Sequence, residues 1–227
     1  MTPPTDIQSD LVDRLRHADR QGALSLLETW ATVHGWERVV TEIIEPTLDQ
    51  IGKEWWDKKK FTLAQAYVAA KVTEDIVLRL AEMKSTNRTN LEPKGPVVIG
   101  NIEEDFHALG RKMVGTFLRA EGWTVIDLGN DVPAAQFVDT AQEAGARVIG
   151  VSAMMMTSAR NIKRVREEID RRGLTGKIQL AAGGAIFSIA PGLLEDVGAD
   201  GSAANALGSP KLFAELWDRS VALEANR

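Results

Sequence analysis

After residue 95 the chain adopts a rhythm that few folds accommodate: short apolar runs alternate with longer stretches of helical period. Apolar runs occupy 96–99, 123–128, 147–151 and 177–182, and a shorter one lies near 200–203. Helical patterns fill the intervals at 108–121, 133–144, 158–172 and 191–197, and 210–223 closes the chain as a helix. Near-continuous apolar runs belong to strands covered on both faces. Such strands separated by helices specify a parallel, doubly wound sheet. An α/β domain over 96–227 with a five-stranded parallel sheet is therefore predicted.

The half before it has a different texture. From Ile7 onward the period is helical throughout. Val39, Val40, Ile43, Ile44, Leu48 and Ile51 recur at spacings of three and four and make one apolar stripe. Pro46 lies inside that stripe and predicts a bend, because proline removes one ladder bond. Gly35 is a stop signal between the second and third helices, and Thr62 is an N-cap for the fourth. Four helices joined by short links predict an all-α four-helix bundle over 1–84. The polar, aperiodic stretch 85–95 reads as a linker.

Composition removes several classes of function. There are no cysteines, which excludes disulfides, thiolate nucleophiles and Cys-type zinc sites. A net charge of −5 argues against nucleic acid or an anionic membrane as partner, because counterion release needs clustered positive charge. No apolar run approaches the roughly 20 residues of a membrane span, and no signal-like segment opens the chain, so a cytoplasmic protein is expected. Only His17, His34 and His107 can supply imidazole.

In open α/β sheets ligands bind beyond the carboxyl ends of the strands. The residues expected there are unusual. Asp105, Phe106, His107 and Gly110 follow the first strand; Ser152, Met154, Thr157 and Ser158 follow or end the third; Gly183 and Gly184 follow the fourth. Taken singly, Asp105 and His107 suit a helix cap with a surface histidine. The methionine run suits strand-end core packing, and the glycine pair suits a turn. Together they place an imidazole, a carboxylate able to orient it, and glycines that admit a bulky ligand at one end of one sheet. Neither GxxxxGK[ST] nor GxGxxG follows the first strand, so a simple nucleotide site is poorly supported.

Asp105-x-His107-x-x-Gly110, Ser152-x-Met154 and Gly183-Gly184 resemble the DxHxxG…SxL…GG signature of cobalamin-binding domains. These domains occur in methionine synthase, corrinoid methyl carriers, some mutases and cobalamin-dependent photoreceptors. The resemblance spans about residues 96–217. It implies a Rossmann-like (flavodoxin-like) domain and cobalamin, as methylcobalamin, for cofactor. His107 would take the lower axial position on cobalt in place of the cofactor's own base, the base-off/His-on arrangement. Asp105 would hydrogen-bond that imidazole, and Ser158 would contact the aspartate. Ser152, Met154, Gly183 and Gly184 would line the slot for the displaced nucleotide tail, and Gly110 would let it pass the helix start. Phe106 and Thr157 flank these positions. Met154 stands where the family usually has leucine.

The helical half resembles the cap bundle that precedes this domain in methyl carriers, with Trp55 or Trp56 as an aromatic roof over the corrin. The resemblance implies a methyl-carrying corrinoid subunit of a methyltransferase system. Its partners would be a methyl-donor:corrinoid methyltransferase, a corrinoid:acceptor methyltransferase and a reductive activase. The alternative is a cobalamin-dependent sensor of the photoreceptor type without its own DNA-binding domain. Ala66-Tyr67, where photoreceptors carry Glu-His, argues against it.

Overall fold

Proline and glycine punctuate the helical half as their chemistry demands. In this computed structural model, residues 3–58, 61–86, 93–190 and 192–225 are described, the side chains at 55–58 and 84–86 excepted. The chain divides into two units, Met1–Met83 and Lys84–Arg227. In the first, α1 (Pro4–Arg16) and α2 (Arg20–His34) precede one long helical run. That run comprises α3 (Trp36–Arg38), a π-helical segment (Val39–Ile44) and α4 (Glu45–Lys58). The last helix, α5, is Leu63–Thr86.

Local signals set the ends of these helices. The Asp19 carboxylate accepts from the Gly22 N–H at 2.8 Å and caps α2. Gly35, at φ +84°, ends it. Thr62 and Gln65 exchange bonds of 2.7 and 3.3 Å in a capping box that opens α5. The stripe Val39, Val40, Ile43, Ile44 is fully buried, as its spacing predicts.

Pro46 does more than bend the third run. It has no N–H to offer the Glu42 carbonyl four residues earlier. The Gln8 side chain of α1 donates to that carbonyl instead, at 2.6 Å. The π-helical segment ends two residues before the proline, so the helix widens next to the break in its ladder.

The second unit alternates β1 (Lys94–Asn101), α6 (Ala108–Ala120), β2 (Trp123–Asp127), α7 (Ala134–Ala144) and β3 (Val148–Ser152). Then come α8 (Met156–Ala159), α9 (Ile162–Arg171), β4 (Gln179–Gly183), α10 (Ala185–Ile189), α11 (Leu193–Asp196) and α12 (Ser209–Ala225). The sheet is parallel with order β2-β1-β3-β4. Alternate residues of the strands feed two cores. Val98, Ile149 and Leu180 pack with Phe137 and Val165 on one face. Val97, Ile99 and Val148 pack with Leu118 and Phe213 on the other. Burying both faces takes most of β1, β3 and β4 out of water, while Thr124 and Asp127 of the edge strand β2 stay exposed, and this burial supplies the main drive to fold.

The sheet among the described residues has four strands, not the predicted five. The expected strand near 200–203 is reduced to one bridge between Ala181 and Gly201. The cause is local. The Ala182 N–H reaches the Gly201 carbonyl at 3.0 Å, but the Leu180 N–H is taken by the Asp200 carboxylate at 2.6 Å. A side chain thus occupies the acceptor place that a continuing strand would fill. The predicted helix over 158–172 is also divided. Around Arg160 the bonds tighten, with Asn161 N–H on Ser158 O at 2.9 Å, which separates α8 from α9. The short helix α10 had no signal in the sequence reading.

Candidate functional site

The strand order reverses direction of growth between β1 and β3, so the crevice at their carboxyl ends is the switch point. Register brings Asn101, Ser152 and Gly183 side by side at the ends of β1, β3 and β4. Of the residues expected there, Asp105, His107, Met154 and Ser158 meet directly.

Asp105 is completely buried, yet its carboxylate has four donors. Oδ1 accepts from Asn101 Nδ2 at 2.8 Å and the His107 N–H at 3.0 Å. Oδ2 accepts from the Met154 N–H at 2.8 Å and the Ser158 hydroxyl at 2.9 Å. Burial pushes this carboxyl up. The Met154 and His107 N–H groups, the Ser158 hydroxyl and the Asn101 amide outweigh it and hold the group below the usual carboxylate range. Asp105 is therefore an anion at neutral pH inside a cradle of four donors.

His107 occupies the N-cap position of α6 but makes no side-chain cap bond. Its ring is half-exposed, and Nδ1 lies 3.4 Å from Asp105 Oδ1. The imidazole is thus backed by a carboxylate and open to a ligand on its other side. Glu104 in the loop that carries it, and Asp131 in the neighbouring loop after β2, adopt φ of +66° and +55°. The Glu104 N–H donates to Asp131 Oδ1 at 2.8 Å, and the Asp131 N–H donates to the Asp105 carbonyl at 3.2 Å. Positive φ at non-glycine residues persists only where surrounding contacts enforce it.

Around this ring lie apolar side chains that the protein leaves uncovered. Phe106 is 65% exposed and Met154 45%, with Met155 beside it. Met154 and Met155 are therefore not strand-end core packing; only Met156 joins the core. Thr157 is exposed in α8, and Ser158 rather than Thr157 reaches Asp105.

The glycines differ in purpose. At Gly184, with φ +116°, a Cβ would sit 1.9 Å from the Ala153 carbonyl oxygen, so the fold itself requires glycine. A Cβ at Gly183 would meet nothing within 4 Å, and one at Gly110 only Ser152 Oγ at 4.0 Å. At these two positions the protein makes no use of the missing side chain, and the space is left to something else. The Trp55 and Trp56 side chains, expected as the aromatic roof, lie outside the described residues.

Sequence reasoning did not select Asn101, Arg111 or Asp127. Asn101 binds Asp105 and also donates to the His107 carbonyl at 3.2 Å. Arg111, largely buried, donates from Nε to Asn101 Oδ1 at 2.8 Å, from one terminal nitrogen to Asp127 and from the other to Asn130 at 3.2 Å. Their signal was a polar residue ending an otherwise apolar strand, at both Asn101 and Asp127. His34 stacks on Trp30 and His17 bonds its own helix, so neither enters this site.

A half-open imidazole backed by a buried carboxylate lies beside a glycine-lined opening at a parallel sheet's switch point, the place where α/β proteins of this class take a cofactor. Comparison with known proteins gives that class its family. Residues 95–209 match the model described as the B12 binding domain, and the chain belongs to that family. Cobalamin is its cofactor. The dimethylamine corrinoid protein 1 of Methanosarcina mazei is 28% identical over 206 residues, covering 91% of this chain and 94% of that one. A dimethylamine corrinoid protein of Methanosarcina barkeri is 32% identical over 170 residues, covering 73% and 78%. The solved monomethylamine corrinoid protein of Methanosarcina barkeri superposes with a TM-score of 0.72 at 23% identity, covering 98% of this chain and 100% of its own. That last likeness bears out the fold.

The residues present fit cobalamin. The cofactor brings a flat macrocycle, a metal that takes an imidazole and a long tail. Exposed Phe106 and Met154 suit the macrocycle edge, His107 suits the metal, and the open space at Gly183 and Gly110 suits the tail. Among the described residues no helix is long and apolar enough to cross a membrane.

Proposed function

We propose that this chain carries a methyl group on cobalamin between two partner methyltransferases, with His107 as the lower axial ligand in a base-off/His-on complex. The observation that carries the reading is the half-exposed His107 ring held 3.4 Å from the buried Asp105, next to glycine-lined space. When bound, cobalamin supplies a cobalt centre able to accept and release a methyl group. The chain supplies position and tuning. His107 presents imidazole nitrogen to the metal. Asp105 faces Nδ1, so Nδ1 carries the proton and Nε2 is left as the donor to cobalt. Ser158 and the Met154 N–H keep the carboxylate from turning. Ser152, Gly183, Gly184 and Gly110 border the path of the displaced tail, and Phe106, Met154 and Thr157 border the macrocycle.

The relatives support methyl carriage. Those named above are corrinoid proteins of methylamine systems, and a solved methanol:cobalamin methyltransferase complex of Methanosarcina barkeri shares the fold at a TM-score of 0.51. The partners proposed here are a methyl-donor:corrinoid methyltransferase and a corrinoid:acceptor methyltransferase, with a reductive activase to restore the carrier. Trp55 or Trp56 is proposed as the roof over the upper face.

The test is reconstitution with methylcobalamin in the dark, comparing visible spectra of wild type and His107→Ala. A stoichiometric complex with nitrogen-ligated cobalt, lost in the variant, is expected. Identical spectra, or no retained cofactor, would sink the reading.

A further inference from the structure

We propose that Arg111 is a positioning residue for His107, acting by fixing the direction in which the Asn101 amide faces Asp105. The inference rests on His107 being the cobalt ligand.

Of the four donors to Asp105, two are backbone N–H groups and one is a hydroxyl. A backbone N–H cannot reverse, and a hydroxyl can turn its proton to suit. The Asn101 amide alone can rotate by half a turn and present an oxygen to the carboxylate. That orientation sets acceptor against anion in a buried place, where water cannot compensate for the repulsion. Arg111 forbids it. A guanidinium has only donors. Its Nε–H lies 2.8 Å from Asn101 Oδ1, so the amide oxygen must face Arg111 and the amide NH₂ must face Asp105.

The same NH₂ reaches the His107 carbonyl at 3.2 Å. Asn101 therefore grips both the carboxylate behind the imidazole and the backbone that carries it. Arg111 is itself anchored. It sits one helical turn after His107 on α6, and its terminal nitrogens hold Asp127 at the end of β2 and Asn130 in the following loop. The guanidinium thus ties the first turn of α6 to the ends of β1 and β2. Release of that tie frees the amide to reverse, withdraws one donor from Asp105 and slackens the His107 backbone together.

The test uses the full chain reconstituted with methylcobalamin in the dark: wild type, Arg111→Met, Arg111→Lys and Asn101→Ser. Bound cofactor is quantified after gel filtration, folding is checked by far-UV circular dichroism, and visible spectra are recorded. Methionine fills the space without a donor, whereas lysine keeps a donor for the Asn101 oxygen. Arg111→Met is expected to fold but to lose nitrogen ligation by about 10-fold or more, the scale seen for groups behind a metal-bound histidine. Arg111→Lys should restore most of it, and Asn101→Ser should resemble Arg111→Met. Nitrogen-ligated spectra in both Arg111→Met and Asn101→Ser overturn the inference and leave His107 as ligand. A lysine variant no better than methionine also overturns it, since the donor is then irrelevant. If Arg111→Met does not fold, Asn101→Ser decides, and an unshifted spectrum there overturns the proposal. A wild type without nitrogen-ligated cobalt sinks the reading of His107 itself.

Discussion

The Ser158 hydroxyl donates a 2.9 Å hydrogen bond to the Asp105 carboxylate across 53 residues of chain. Both groups are buried. The bond joins the loop after β1 to the helix after β3, which are the two sides of the switch point. It makes the geometry of the His107 loop depend on correct pairing of β1 with β3.

Ser158→Ala removes one of four donors to a buried anion. Hydrogen bonds to charged groups are worth about 1.5–3 kcal/mol net, and a loss of that size is expected. Urea denaturation of the cofactor-free chain measures it; a change below about 0.5 kcal/mol would mean that water replaces the hydroxyl.

Acid should weaken the protein partly through Asp105. Its folded-state pKa lies below the ordinary carboxylate value, so the unfolded chain binds the proton more readily. The stabilisation is fully present above the unfolded value, about 3.9, and is lost as pH falls through the lowered folded value. Asp105→Asn cannot titrate and places donors against donors. Denaturation midpoints of the two cofactor-free proteins should differ at neutral pH and converge toward pH 3. A constant gap across that range would show that Asp105 is not the titrating group.

Neighbouring glycines should answer differently to substitution. Gly184→Ala forces a Cβ against the Ala153 carbonyl at a φ of +116°, and a loss of about 2 kcal/mol or more is expected. At Gly183 a side chain meets no protein atom within 4 Å, so Gly183→Val should hold stability within about 0.5 kcal/mol. The valine should nonetheless cut cobalamin retention sharply, as read by equilibrium dialysis. Full retention would place the nucleotide tail elsewhere.

In the helical unit, Gln8→Ala leaves the Glu42 carbonyl without the bond that Pro46 makes necessary. A cost of about 1 kcal/mol is expected. In a Pro46→Ala background an N–H is available within the helix, and the cost of Gln8→Ala should fall. A double-mutant cycle in urea reads this coupling, and additive costs would disconnect the two residues.

Much of this molecule was legible before any coordinates. Periodicity placed the helices around Val39–Ile44 and the apolar strands, and Gly35 and Thr62 marked ends where the structure has them. These signals are short-ranged, since apolar spacing and turn chemistry act within a few residues. The fifth strand failed because its fate turned on the Asp200 side chain competing for the Leu180 N–H, which no local pattern reveals. The helix over 158–172 failed for a related reason, a tightened turn where α8 must hold Ser158 against Asp105.

The chain alone determined the α/β order, the helical half before it, and the motif that joins an aspartate, a histidine and paired glycines. Tertiary structure decided what those residues are to one another. Register set Asn101, Ser152 and Gly183 in one row, and folding brought Met154 and Ser158 to Asp105, and Asp127 to Arg111, from separate segments. It also separated a glycine that the backbone demands, Gly184, from one that leaves room, Gly183. Hydrogen-bond partners and empty space are properties of neighbours in three dimensions, and those neighbours exist only once both faces of the sheet are buried.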